Sequence, residues 1–129
     1  MSTKSKGINA ERELIHLFWQ NKPWAACRIA GSGSSTYPSA DILASNSTRK
    51  IAIESKVTKE KNKYFSQQEI ADFKHFCLKF GAEPWIAIKF HRTSWFFLKL
   101  EDLEQTNKGH SISLKNAQNK GISFENLIK

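Results

Sequence analysis

The stretch Ser39–Lys56, SADILASNSTRKIAIESK, places two apolar runs on either side of a short polar segment. Two such runs joined by Asn, Ser and Thr predict a β-hairpin. Strands of a sheet bury alternate side chains, so charged residues within them need a reason. Here the acids Asp41 and Glu54 and the base Lys56 all fall in the predicted strands. The stretch therefore predicts both a hairpin and a chemical site on it.

The spacing of the hairpin predicts which side chains meet. In the second strand Ile51 and Ile53 share one face, and Glu54 and Lys56 share the other. A turn centred between positions 47 and 48 sets residue i opposite residue 95 − i, which places Asp41 opposite Glu54. Directly paired residues have Cβ atoms about 4.5–5.5 Å apart. Two carboxylates at that distance repel unless a cation lies between them.

This arrangement of two acids and a lysine is suited to metal-dependent hydrolysis of a phosphodiester bond. Two acids bind Mg²⁺ or Mn²⁺, and the metal polarises a phosphate and lowers the pKa of a bound water. Lys56 can orient that water or stabilise the charge that develops on the phosphate oxygens. Because so short a motif often arises by chance, its weight depends on the rest of the chain.

A third acid lies on the first predicted helix. Glu11 recurs with Ile15 and Phe18 at helical spacing, so it belongs to the apolar stripe, whereas Glu13 is expected to face away. A carboxylate on a buried stripe either binds a metal or pairs with a base. Arg28 is the obvious structural partner, and both interpretations of Glu11 stay open.

The overall composition fits one small domain, residues 1–129, with an apolar content of 40%. No run of 18 apolar residues and no apolar leader segment is present, so a membrane protein and a signal peptide are not expected. The cysteines Cys27 and Cys77 have no metal-binding spacing, and we expect two reduced, buried thiols in a cytoplasmic protein.

Periodicity and turn residues predict an α/β fold with a mixed central β-sheet flanked by helices. A capping box formed by Ser66 and Glu69 opens the second predicted helix, and Gly81 ends it. Residues 58–65 are expected to form a basic loop. The aromatic residues of the last two long strands are expected in the core or in a dimer interface. We predict helices over 8–21 and 67–80 and near 101–105, strands over 24–30, 40–45, 50–57, 84–90, 94–100 and 111–114, and a last turn at 123–128.

The charge balance favours an anionic partner. The net charge is +8, and positions 49–63 alone hold six bases and two acids. Such a local excess attracts polyanions, although a solvated basic surface is the alternative.

Several segments together carry a family resemblance. KGINAERE, RIAGSGSS, ADILA and IAIESK resemble the archaeal-type Holliday junction resolvases, which belong to the PD-(D/E)xK nucleases. The resemblance covers roughly residues 6–90. It implies a restriction-endonuclease-like core and a homodimer that cuts four-way (Holliday) DNA junctions with Mg²⁺, for which Mn²⁺ is expected to substitute. Ala40 stands where the family has proline, and Ser55 where an apolar residue is commoner, but neither change removes a ligating side chain.

The resemblance also implies roles for individual residues. The catalytic set is Glu11, Asp41, Glu54 and Lys56, assisted by Arg28, Ser32 and Gln68, with Gln67 as the alternative to Gln68. The metal ligands are Glu11, Asp41, Glu54 and the carbonyl of Ser55. The expected DNA contacts combine basic residues with residues of the GSGSS segment: Lys4, Lys6, Arg12, Ser32, Gly33, Ser34, Lys59, Lys61 and Lys63.

The GSGSS segment is either a flexible connector or a loop whose N–H and hydroxyl groups contact phosphates.

Three functional readings remain, and the first is the junction-resolving endonuclease that the resemblance implies. A nuclease of the same fold that acts on flap, damaged or ordinary duplex DNA has the same site. A DNA-binding protein with a vestigial site is the third reading, and the complete set of Glu11, Asp41, Glu54 and Lys56 argues against it.

Overall fold

The computed structural model describes residues 3–31 and 36–129. Its helices are α1 (Thr3–Trp19), α2 (Gln67–Phe80), α3 (Leu114–Lys120) and α4 (Phe124–Leu127), with a 3-10 helix at Leu100–Asp102. Its strands are β1 (Ala25–Arg28), β2 (Ile42–Ser45), β3 (Lys50–Thr58), β4 (Asn62–Ser66), β5 (Glu83–Phe90), β6 (Trp95–Leu98), β7 (Glu104–Thr106) and β8 (Gly109–Ser113).

Five strands form the central sheet in the order β1-β2-β3-β5-β6. Strands β3 and β5 run parallel, and the other neighbours are antiparallel. The prediction of a mixed sheet flanked by helices is confirmed. The hairpin register is also as predicted, because Ile42 pairs with Ile53 and Ala44 pairs with Ile51.

The two faces of β3 carry different helices. Ile51 and Ile53 are fully buried in one apolar cluster with Leu14 of α1, whereas Ala52 packs in a second cluster with Phe73 of α2. Alternation along the strand therefore directs the next two charged residues of the Ala52 face toward α2. This is the arrangement that positions the site.

Three further strands form a separate antiparallel sheet in the order β4-β8-β7. The second half of the predicted basic loop is strand β4, so that prediction was wrong there. The short helix predicted near 101–105 is confirmed only in its first part, as the 3-10 helix, because strand β7 follows it. Helix α3 was not predicted at all. The pairing of β4 with β8 joins segments about fifty positions apart, and local periodicity carries no signal for such a contact.

Local sequence signals determine where helix α2 begins and ends. Ser66 and Glu69 form the predicted capping box of α2, and Gly81 ends that helix in the left-handed conformation at φ 78°. Helix α1 starts at Thr3, five positions before the predicted start, and Gly7 lies within it.

The remaining expectations on burial are partly confirmed. Trp85, Trp95 and Phe97 are buried core residues, and Cys77 is a buried free thiol. Cys27 is exposed, so the prediction that both thiols are buried was wrong; the thiol lies on β1 at the edge of the central sheet. No helix within the described ranges is both long and apolar enough to cross a bilayer.

Candidate active site

The hairpin brings Asp41 and Glu54 into one cleft. The backbone N–H of Asp41 donates to the carbonyl of Ile53 (3.0 Å), which extends the β2–β3 pairing by one residue. The N–H of Ser55 donates to Oδ2 of Asp41 (2.9 Å), so the carboxylate is held against β3. The cleft has a volume of about 450 Å³, and Lys56 lines it together with the two acids.

Two walls complete the cleft. One is the segment 36–39 that leads into β2, and the other is the first part of α2, which contributes Glu69, Asp72 and Phe73. A rigid strand pair thus forms the floor, and a capped helix stands beside it. A site on such elements holds its side chains in defined positions.

The electrostatics of the cleft favour a cation. Burial raises the pKa of Glu54 to about 8, and the negative charge of Asp41 adds to the rise. The ammonium group of Lys56, 3.8 Å from Oε2 of Glu54, opposes it only in part. Paired carboxylate oxygens are the donors that Mg²⁺ prefers, and a bound cation relieves their repulsion. The residues present therefore fit a hard divalent metal ion.

Glu11 reaches the same region from the other face of the sheet. Its carboxylate lies 3.6 Å from the guanidinium of Arg28, and its side chain is only 15% exposed. Burial and the negative charge of Asp41 raise the pKa of Glu11, while Arg28 and Lys56 lower it. Within 3–31 and 36–129, however, no three acidic, histidine or cysteine side chains lie close enough to hold one metal ion together. Direct ligation by Glu11 stays a prediction.

Glu13 is exposed, as expected, but it makes contacts that were not predicted. Its Oε1 accepts hydrogen bonds from Lys89 (3.0 Å) and from the indole N–H of Trp95 (2.8 Å). Since these partners lie on β5 and β6, Glu13 connects α1 to the two strands at the β6 edge of the central sheet.

Glu69 and Asp72 are site residues that the sequence did not reveal. Oε2 of Glu69 lies 3.8 Å from the ammonium group of Lys56. In the sequence, the capping box by itself accounts for Glu69, so the residue does not stand out as part of a site. The spacing of three between the two acids on a predicted helix was the available signal, because such residues share a face.

Gln68 lies next to the cleft without lining it. Its side chain is exposed, and its amide N–H donates to Oδ1 of Asp72 (2.7 Å). Ser32, Gly33 and Ser34 fall outside the described residues.

Lysines of the β3–β4 turn and of α1 bring part of the predicted DNA contacts together. Lys59 and Lys61 are exposed on the turn between β3 and β4, and Lys63 is half-buried on β4. The pKa of Lys6 is lowered by the adjacent ammonium group of Lys59, so the start of α1 and this turn meet. Arg12 is exposed one turn and a half further along α1. Of Lys4 the structure describes no side chain.

Comparison with known proteins agrees with this geometry. The model of the family described as archaeal Holliday junction resolvase (Hjc) matches residues 2–129. The chain is 41% identical over 109 residues to the crossover junction endodeoxyribonuclease Hjc of Archaeoglobus fulgidus, covering 84% of this chain and 79% of that protein. It is 31% identical to the Hjc of Sulfolobus acidocaldarius, covering 100% and 90%.

The fold comparison gives the same result. A solved structure of the Archaeoglobus fulgidus Hjc, a Holliday junction resolvase, superimposes with a TM-score of 0.86 at 35% sequence identity. The match covers 93% of this chain and 96% of the other. The chain therefore belongs to the archaeal Holliday junction resolvase family.

Proposed function

We propose that this protein is a Holliday junction resolvase, an endonuclease that hydrolyses phosphodiester bonds in four-way DNA junctions. The observation that carries the proposal is the cleft in which β2 and β3 present Asp41, Glu54 and Lys56 together. Membership of the resolvase family supports the choice of branched DNA as the substrate.

Asp41, Glu54 and the carbonyl of Ser55 are the groups that would hold Mg²⁺, with Mn²⁺ as a substitute. When bound, the metal would neutralise charge on the scissile phosphate and promote ionisation of the attacking water. The Ser55 N–H orients the carboxylate of Asp41 for this role. The raised pKa of Glu54 means that binding a cation displaces a proton from this carboxyl group near neutral pH.

Other side chains act on the DNA itself. Lys56 carries a positive charge inside the cleft, where it stabilises negative charge that develops on the phosphate oxygens. Arg28, held by Glu11, presents a second cation at the end of β1 for the neighbouring phosphate. The Lys6, Lys59 and Lys61 surface then neutralises the backbone of a DNA arm.

A homodimer is part of the proposal, because resolving a junction requires two cuts related by symmetry and a two-fold dimer supplies two related sites. An exposed apolar surface supports the proposed homodimer. Trp19 and Phe80 line one apolar groove against the outer strands β1 and β2, and they are 59% and 46% exposed. Leu78, 74% exposed, lies on the same end of α2 as Phe80. Exposed apolar groups this large are typical of protein interfaces.

The test compares an immobile synthetic four-way junction with linear duplexes of the same arm sequences. Incubation with Mg²⁺ should cut the junction at two symmetric positions and leave the linear duplexes intact. Incubation with EDTA should abolish cleavage and preserve junction binding in a gel-shift assay. Equal cleavage of the linear duplexes, or a preference for flaps, would identify a different nuclease of this fold.

A further inference from the structure

We propose that Glu69 is a positioning residue for Lys56 and holds its ammonium group in the cleft independently of Glu54. The inference rests on the proposed function, in which Lys56 acts on the phosphate. It adds to that site a residue on α2, whereas the hairpin supplies Asp41, Glu54 and Lys56.

The two oxygens of Glu69 have separate partners. Oε1 accepts a hydrogen bond from the N–H of Ser66 (3.1 Å), which is one half of the capping box. The other half runs from the N–H of Glu69 to Oγ of Ser66 (3.0 Å). Because the cap fixes the direction of the Glu69 side chain, Oε2 is left pointing at Lys56, 3.8 Å away.

Lys56 lies between two carboxylates and above an aromatic ring. Its Nζ is 3.8 Å from Oε2 of Glu54 and 3.8 Å from Oε2 of Glu69. The same atom is 5.8 Å from the ring centroid of Phe65. A lysine side chain has four flexible carbons and high rotamer entropy, so holding its end in one place needs more than one contact.

A second anchor matters because Glu54 has another role in the proposed mechanism. With Glu54 alone, the ammonium group would neutralise the carboxylate that is to bind the cation. Once Glu54 binds a divalent cation, that positive charge repels Lys56. Glu69 is still available as an ion-pair partner of Lys56 in that state, so it keeps the ammonium group near the phosphate position.

A capping role alone would explain the contacts between Ser66 and Glu69, so the capping role and the positioning role have to be separated. Glu69→Gln removes the charge and keeps the cap, because glutamine serves equally in a capping box. Ser66→Ala removes the hydroxyl half of the cap and keeps the Glu69 carboxylate facing Lys56. The two variants therefore affect the two roles in opposite ways.

The first measurement uses the metal-free protein. With ¹³C-labelled lysine, the order parameter of the Lys56 Cε is expected to fall in Glu69→Gln and to stay unchanged in Ser66→Ala. Because the ion pair is partly exposed, the melting temperature of Glu69→Gln should change little. The melting temperature of Ser66→Ala should fall by a few degrees as α2 loses a cap.

The second measurement is single-turnover cleavage of a four-way junction at saturating enzyme and Mg²⁺. Glu69→Gln should reduce the rate about 10- to 100-fold with unchanged junction affinity, as expected when a reacting group is misplaced. Ser66→Ala should stay within about threefold of the parent protein. In a Lys56→Met background, Glu69→Gln should have no further effect, because residues that act as one unit are not additive.

The outcomes separate the two proposals. If Lys56→Met cleaves at the parent rate, the assignment of the site under the proposed function is wrong. If Lys56→Met is impaired but Glu69→Gln equals Ser66→Ala, Glu69 is only a capping residue. A rate loss of Glu69→Gln that persists in the Lys56→Met background would also overturn the inference, since Glu69 would then act without Lys56.

Discussion

The carboxylate of Asp41 accepts the backbone N–H of Ser55 at 2.9 Å, across the hairpin that joins β2 to β3. A side-chain oxygen therefore takes the place of a backbone acceptor at the end of the β2–β3 pairing. Burial raises the pKa of the neighbouring Glu54, and the charge of the same Asp41 carboxylate raises it further. Asp41 thus has a structural role and an electrostatic role, and substitutions separate the two.

Asp41→Asn should reduce junction cleavage by orders of magnitude while the fold and the junction affinity persist. The amide oxygen still accepts the Ser55 N–H, but the variant lacks the negative charge that binds a cation. Asp41→Ala is the contrasting change, because it also removes the hydrogen bond and should lower stability by about 1–3 kcal/mol. Urea denaturation and single-turnover cleavage of both variants check this, and an active Asp41→Asn protein would contradict the ligand assignment.

In EDTA, stability should fall as pH rises from about 4.5 to about 8. Burial and Asp41 raise the pKa of Glu54 from 4.5 to about 8, so the folded protein binds this proton more tightly than the unfolded chain does. The stabilisation from this proton is complete below the pKa that Glu54 has in the unfolded chain. It is lost as the pH rises toward the pKa that Glu54 has in the folded protein. One such group contributes a limiting slope of about 1.4 kcal/mol per pH unit.

Urea midpoints between pH 5 and pH 8 measure this slope, and Glu54→Gln is the control because an amide does not titrate. The variant should show a flatter dependence than the parent protein. The raised pKa of Glu11 acts in the same direction, so the variant keeps a smaller residual slope. Identical slopes for the two proteins would show that Glu54 ionises normally.

The hairpin could be predicted from the sequence because its information is local. Alternation assigns each residue to a face, and one turn position sets the whole register, so the pairing of Ile42 with Ile53 follows. The capping box at Ser66 is local in the same sense. The pairing of β4 with β8 could not be predicted, since it depends on how distant segments meet.

The candidate site also depends on contacts between distant segments, which local sequence patterns do not predict. Glu11 was recognised as an unusual acid, but spacing alone does not reveal that α1 packs on the face opposite α2. Glu69 had a sufficient local explanation as a capping residue, which hid its contact with Lys56. The contacts of Glu13 could not be predicted, because its partners Lys89 and Trp95 come from strands that follow it by more than seventy positions.

Junction affinity should depend less on salt when Lys59, Lys61 and Lys63 are replaced together by alanine. Each phosphate that a lysine neutralises releases counterions, and this makes the slope of log K against log salt steeper by about 0.9. Loss of three contacts should therefore flatten that slope by up to about 3. Fluorescence anisotropy across a range of salt concentrations measures it in EDTA, where no cleavage occurs.

The matched control replaces Lys22, Lys79 and Lys120, which are exposed outside the β3–β4 turn. This variant loses the same net charge and should keep most of the original slope. Equal flattening in both variants would mean that only net charge matters, and the turn would then have no special role in binding.

Phe80→Ser should weaken the proposed homodimer. Phe80 is a large exposed apolar residue at the end of α2, and it shares a groove with Trp19. Removing an apolar anchor from an interface typically costs more than 1 kcal/mol in association. Sedimentation velocity should therefore show a shift toward monomer for this variant. Val57→Ser, at another exposed apolar position, should sediment as the parent protein does.

Glu11→Gln should inactivate the protein with little loss of stability. The amide oxygen can still accept from Arg28, and an ion pair at 3.6 Å with both side chains partly exposed contributes about 1 kcal/mol or less. The negative charge that faces Asp41 and Lys56 is lost, so the rate of cleavage should fall about 100-fold or more. Glu13→Gln is the matched control two positions away. It weakens the contacts to Lys89 and Trp95 and should lower the melting temperature while cleavage stays near normal. The opposite outcome is a Glu11→Gln protein that has a lower melting temperature but cleaves at the parent rate. That outcome would make Glu11 a structural partner of Arg28 and reduce the catalytic set by one.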